Sequence, residues 1–129
     1  MSLMSLRLGT NDLPKAKAFY DATFAALGYD VPTEPSPYPM AFYKLPGGFA
    51  FMIGAAANGE PATHANGGTI GFAAPSDAAV EAWHAAGLAN GGTCEGAPGP
   101  RPMAGGKVGA YLRDPDGNKL CTYSGLSIG

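Results

Sequence analysis

Leu112-Arg113-Asp114-Pro115-Asp116-Gly117-Asn118-Lys119-Leu120 is the stretch on which the reading of this chain turns. Asp114-Pro115-Asp116-Gly117 is a run of turn-forming residues. The stretch therefore joins two strands, Val108 to Arg113 and Lys119 to Tyr123, as a hairpin. Moving toward the N-terminus, Pro46-Gly47-Gly48 punctuates the chain in the same way between strands at Met40–Leu45 and Phe49–Gly54. Sliding Pro46 onto Pro115 carries Gly48 onto Gly117 and Phe51 onto Leu120.

The segments upstream of each hairpin also repeat. Leu6-Arg7-Leu8-Gly9 is a short strand with Leu6 and Leu8 on one face. Asn11-Asp12 then caps a helix that tolerates Pro14 in its first turn. Its apolar stripe is Leu13, Ala16, Tyr20, Phe24 and Leu27, widened by Phe19, and Gly28 ends it. In the second half, Thr69 to Ala73 is a strand and Ser76-Asp77 is a cap. Val80, Trp83, Gly87 and Leu88 form the stripe of a second helix that ends near Gly91-Gly92. Sliding Leu6 onto Ile70 carries Leu8 onto Phe72, Asp12 onto Ser76, Phe19 onto Trp83 and Gly28 onto Gly92. Strand, cap, aromatic and turn return in order, which points to an internal duplication of a βαβββ unit.

The first module is expected over about residues 4–54 and the second over about 69–124, within a single domain spanning 1–129. Residues 55–68, small and polar, form the linker. A proline-rich connection runs from Tyr29-Asp30-Val31 through Pro39. Thr93-Cys94-Glu95 reads as a short strand, followed by an irregular stretch from Ala97 to Gly106. Met1-Ser2-Leu3, doubled by Met4-Ser5-Leu6, reads as an added leader before a natural start at Met4.

Composition fits this picture. At 129 residues, 46% apolar and 14% charged, the chain can bury a core without staples. A net charge of -2 and the absence of a Lys/Arg run argue against nucleic acid or an anionic membrane surface as partner. No apolar run approaches the ~20 residues of a membrane span. Cys94 and Cys121 match no zinc or redox spacing and read as reduced thiols of a cytoplasmic protein.

Gly9-Thr10-Asn11-Asp12-Leu13 with Ala18-Phe19-Tyr20, and above all the Arg-Asp-Pro-Asp-Gly-Asn turn before the last strand, resemble the vicinal oxygen chelate superfamily of glyoxalases, bleomycin-resistance proteins and extradiol dioxygenases. The resemblance implies an α+β fold in which two βαβββ modules curve a mixed sheet around a cup, with the helices outside. It does not name a reaction, since the superfamily holds lyases, dioxygenases, epimerases, thiol transferases and metal-free sequestering proteins.

In the metalloenzymes of that superfamily, ligands of the His, Gln and Glu type point into the cup from the first and last strands of each module. The matching positions are Ser5, Met52, Thr69 and Cys121. Two hydroxyls, a thioether and one thiol do not replace imidazole and carboxylate donors, so neither a metal nor another cofactor is expected. His64 is read as a solvated linker residue and His84 as lying outside the cup.

Alternation along the strands directs Arg7 inward, where a guanidinium would anchor a carboxylate or phosphate, unless it pairs with Glu34 or Glu95. Tyr43, Met52, Thr69, Cys121 and Tyr123 complete the expected ligand-binding wall, with Ala110 placed opposite Cys121. No nearby histidine activates Cys121, so it reads as a small hydrophobe rather than a nucleophile. Arg113 and Asp114 are assigned to the turn, and Arg101 to a loop over the cup mouth. No catalytic residue is identified, and whether the protein is an enzyme is left open.

The leading expectation is a metal-free cup that binds a small, partly apolar and anionic molecule, in a protein that pairs as a homodimer. A metal-dependent lyase or dioxygenase with unusual ligands, and a non-catalytic protein-interaction subunit, stand as alternatives.

Overall fold

A computed structural model describes residues 2–126; Met1, at the start of the expected leader, lies outside them. Two sheets and two long helices follow the order read from the sequence. The first half runs β1 (Ser5–Gly9), α1 (Leu13–Ala26), β2 (Met40–Leu45) and β3 (Phe49–Gly54). The second runs β4 (Ile70–Ala74), α2 (Asp77–Ala89), β5 (Thr93–Pro100), β6 (Val108–Arg113) and β7 (Lys119–Ser124). A single 3-10 turn, Pro102–Ala104, precedes β6. The sheets are ordered β1-β3-β2 and β4-β7-β6-β5, and neither closes into a barrel. In each, the first strand lies parallel to the last and the hairpin is antiparallel. The α+β class and the mixed sheets are as expected.

Local chemistry accounts for the helices. The Asp12 carboxylate accepts from the Lys15 N–H at 3.1 Å, and the Ser76 hydroxyl accepts from that of Ala79 at 3.1 Å. Each cap satisfies one of the N–H groups that a helix start leaves open. α1 buries Ala16, Phe19, Tyr20, Thr23 and Phe24, and α2 buries Ala79, Val80, Trp83, His84 and Gly87. These stripes face Leu6 and Leu8 of β1, Ala41, Tyr43 and Leu45 of β2, and Phe51 and Ile53 of β3 in one continuous core. Phe72, Ala110, Leu112 and Leu120 complete that core from the second sheet. Phe24 and Phe51 both lie edge-on to Phe72, at 5.2 and 5.9 Å between ring centres, so the aromatic cluster spans the two halves. Each such ring buried from water contributes ~1.5–3 kcal/mol.

Four details depart from the sequence reading. The first module carries three strands rather than four, because Pro32, Pro35, Pro37 and Pro39 deprive its 31–39 segment of the N–H groups a ladder needs. β5 runs on through Pro98 to Pro100, where an irregular stretch was expected. Its prolines sit on an edge strand whose register shifts twice, so they interrupt little. Tyr111, not Ala110, stands opposite Cys121. Arg113 pairs with Lys119, so five residues separate the strands, and the register slips by one against that read from the turn. Finally, Thr69 precedes β4 instead of opening it.

Candidate functional site

The helices cover one face of each sheet, and alternation leaves the other side chains on the open faces. On the first sheet, the neighbours of the core residues are Ser5 and Arg7 of β1, Ala50 and Met52 of β3, and Phe42 and Lys44 of β2. Arg7 and Met52 are register partners, as are Ser5 and Ala50. On the second sheet they are Gly71, Gly109, Tyr111, Arg113, Cys121 and Tyr123.

Arg7 is exposed and donates through Nη2 to the Ala55 carbonyl at 2.7 Å. Neither Glu34 nor Glu95 pairs with it; Glu95 accepts instead from Arg113 Nε at 2.5 Å. With Gly9 and the linker residues Ala56, Ala57, Asn58, Pro61, Ala62 and Thr63, Arg7 lines a shallow pocket of about 450 Å³. No carboxylate lines that pocket, and most of the guanidinium's donors remain free of protein partners among the described residues. The linker is held over β1 by Asn11, whose side chain accepts from the Ala62 N–H at 2.7 Å and donates to the Ala62 carbonyl at 3.0 Å. Read from the sequence as a connection, the linker is part of a site wall. Its Asn58 and Thr63 carried the only signal, two polar groups without a periodic role.

On the second sheet, the Tyr111 and Tyr123 hydroxyls lie 2.7 Å apart, with their rings edge to face. The Tyr123 ring covers Gly109, where a Cβ would fall 2.3 Å from its Cε1. The Tyr111 phenol is pushed up to about 12, first by its hydrogen bond to Tyr123 and then by burial. Two cations flank its ring, the Arg101 guanidinium at 5.8 Å and Lys119 Nζ at 5.6 Å. Arg101 is held by the carbonyls of Gly99 and Ala97 at 2.8 and 2.7 Å, so it folds onto this face. Cys121 is buried against Gly71, and burial raises its thiol pKa, with Lys119 and Tyr111 pulling the other way. A raised thiol is a poor nucleophile at neutral pH.

The expected site residues thus fall into separate groups. Arg7 and Met52 share the first open face with Ser5, while Cys121 and Tyr123 share the second. No hydrogen bond among the described residues joins one group to the other. Thr69 is exposed just ahead of β4. Tyr43 is a correction: it is 1% exposed, packs on Tyr20, Phe24 and Phe51 under α1, and donates its hydroxyl to Asp21 at 2.7 Å. The hairpin β2–β3 buries Tyr43 with Phe51, its register partner, so it belongs to the core face. Tyr111 was missed because the hairpin register had been set one residue off.

The residues that the resemblance matches to metal ligands do not fit a divalent ion by their chemistry. Ser5, Met52, Thr69 and Cys121 offer one thiol among four side chains, and burial raises that thiol's pKa. Among the described residues, no three His, Cys, Asp or Glu side chains come together as a metal site requires. His64 lies against Gly117 at the β6–β7 turn. His84 is buried on α2, with Nε2 3.2 Å from Cys94 Sγ, and burial lowers its pKa.

Comparison with known proteins places this geometry. No curated protein matches the chain. A glyoxalase/bleomycin resistance protein from Albidiferax ferrireducens T118 is similar at 46% identity over 96% of this chain and 99% of its own, with a TM-score of 0.86. A lactoylglutathione lyase from Agrobacterium tumefaciens is similar at 27% identity over 97% and 94%, with a TM-score of 0.63. A glyoxalase-related enzyme from Fulvimarina pelagi, at 21% identity over 100% and 93% with a TM-score of 0.77, shares the fold. The family model for the Glyoxalase/Bleomycin resistance protein/Dioxygenase superfamily matches residues 2–122. This chain belongs to that superfamily.

Proposed function

We propose that this protein binds a small molecule with an anionic end and a partly apolar body on the open faces of its sheets, without a metal ion. One observation carries the reading: the Arg7 pocket has a single charged wall residue, a guanidinium held in place by the Ala55 carbonyl, and no carboxylate to neutralise it. Such a group favours a carboxylate or phosphate. On the second open face, the Tyr111 ring, flanked by Arg101 and Lys119, offers with Tyr123 a surface for an apolar or aromatic body. The partner is a small molecule, neither nucleic acid nor membrane, and the protein works in the cytoplasm.

The reading includes a homodimer, in which the Arg7 face of one chain would lie against the Tyr111 face of the other. Light scattering that finds a monomer at working concentration would overturn the dimer. The likeness to a lactoylglutathione lyase favours a second reading, a glyoxalase-type lyase. That reading needs a different donor set from Ser5, Met52, Thr69 and Cys121.

The test is a thermal-shift screen of small metabolites and antibiotics, since a ligand that prefers the folded state raises apparent stability. The best anionic hit is then titrated against the Arg7→Met variant, which keeps the strand's core contacts through Leu6 and Leu8. Affinity should fall about tenfold or more, the lower end of a charge-assisted hydrogen bond's worth at an exposed site. Equal affinity in the two proteins would remove the anchor from the proposal.

A further inference from the structure

A cavity larger than the Arg7 pocket lies beyond the outer edge of β2. It holds about 730 Å³ between the proline-rich segment, α1 and the outer edge of β2, within the range of natural ligand sites. Its wall is mainly apolar, with Leu13, Val31, Pro35, Tyr38, Met40 and Phe42 in it.

The duplication shows what this space corresponds to. In the second sheet, β5 pairs with the outer edge of β6 and packs beside α2. In the first, β2 holds the place of β6, and no strand lies beyond it. The cavity occupies that missing position, between the strand edge and the helix.

Hydrogen bonding along β3 shows which groups β2 leaves open. The Ala50 N–H donates to the Met4 carbonyl and the Gly54 carbonyl accepts from Thr10, so these residues of β3 turn toward β1. Phe51 and Ile53, between them, turn toward β2, where they pair with Tyr43 and Ala41. The peptide groups of Phe42 and Lys44 therefore point outward, along the cavity. Among the described residues they have no backbone partner there, while the Met40 N–H is taken by the Tyr38 carbonyl.

Charge adds a preference. Asp21 is engaged by Lys17 at 2.6 Å and by the Tyr43 hydroxyl. Asp30 and Glu34, both exposed, line the cavity with no ion-pair partner among the described residues, against the single charge of Lys44.

We infer that this edge is a peptide-binding site, which takes an extended, apolar segment bearing a basic residue as the fourth strand of the first sheet. Backbone pairing at Phe42 and Lys44 supplies affinity, alternate apolar side chains fill the cavity, and Asp30 and Glu34 receive the basic group. The site is independent of the Arg7 pocket.

The experiment uses the full chain and an acetylated, amidated Val-Lys-Val-Lys-Val peptide, followed by NMR with amide hydrogen exchange. Saturable binding should slow exchange at the Phe42 and Lys44 amides. Phe42→Pro removes an outward N–H without touching the β2–β3 ladder, and should weaken binding by about fivefold more than Phe42→Ala, which removes the same ring but keeps the N–H, a difference worth one net hydrogen bond. Asp30→Asn with Glu34→Gln should also weaken binding and flatten its salt dependence, with the edge intact. Absence of saturable binding at millimolar peptide, or protection elsewhere on the protein, would overturn the inference. So would protection of these two amides without peptide that grows with protein concentration, since a second copy would then be the occupant.

Discussion

Asp114 shows how much a single residue of the turn motif does. It is 3% exposed, and its Oδ2 accepts from the Tyr20 hydroxyl at 2.5 Å and from Asn118 Nδ2 at 2.8 Å. Its Oδ1 accepts from the N–H groups of Asp116 and Asn118, both at 2.9 Å. One carboxylate thus folds the hairpin turn and ties it to the first helix. Asp114→Ala leaves a buried phenol and several N–H groups unpaired and should cost about 3 kcal/mol or more in urea denaturation. The same contact governs alkaline behaviour. Burial first, and the Asp114 charge next, raise the Tyr20 phenol well above its ordinary range. The folded state therefore keeps this proton longer than the unfolded chain does. Its contribution is complete below the unfolded tyrosine value of about 10 and is lost as pH rises from there through the folded value. Tyr20→Phe should flatten the fall of the urea midpoint above that pH, although it is less stable at neutrality.

At the scale of elements, packing reverses ordinary helix propensity at Gly87. In an exposed helix interior, Gly→Ala stabilises by about 1 kcal/mol. Here a Cβ would stand 2.3 Å from Leu112 Cδ1 and 3.2 Å from Phe19 Cε2, so α2 approaches both β6 and α1 through the bare backbone. Gly87→Ala should instead destabilise by about 1–3 kcal/mol, the usual cost of overpacking, measured by the urea midpoint. A stabilised variant would mean that the helices have room to part. The open faces follow the same logic of close approach: Gly109 lets the Tyr123 ring lie flat and reach the Tyr111 hydroxyl.

For the whole molecule, the two sheets share one aromatic core while their open faces carry separate chemistry. Ser5, Met52, Thr69 and Cys121, which the resemblance matches to metal ligands, supply no imidazole or carboxylate. Purified protein is therefore expected to carry no stoichiometric transition metal, and zinc, nickel or iron should barely move its melting temperature. One tightly held ion per chain in elemental analysis would contradict this. Among the described residues no helix is long and apolar enough to cross a membrane.

Local signals were enough for the order of elements. The Asp12 and Ser76 caps, the apolar stripes of both helices and the Asp114–Asn118 turn act over a few residues, so they are written in consecutive sequence. The expectation of a duplication rests on the order in which these signals return. Which face Tyr43 takes, which residue opposes Cys121, and what covers Arg7 depend on register and on contacts between distant segments. A slip of one residue in a hairpin exchanges the two faces of a strand, and sequence periodicity alone does not set that register. The missing fourth strand was legible only as a run of prolines. That its place is a cavity beside an unpaired strand edge was decided by tertiary structure, because α1 and β2 hold their positions through the shared core whether or not a strand fills the gap.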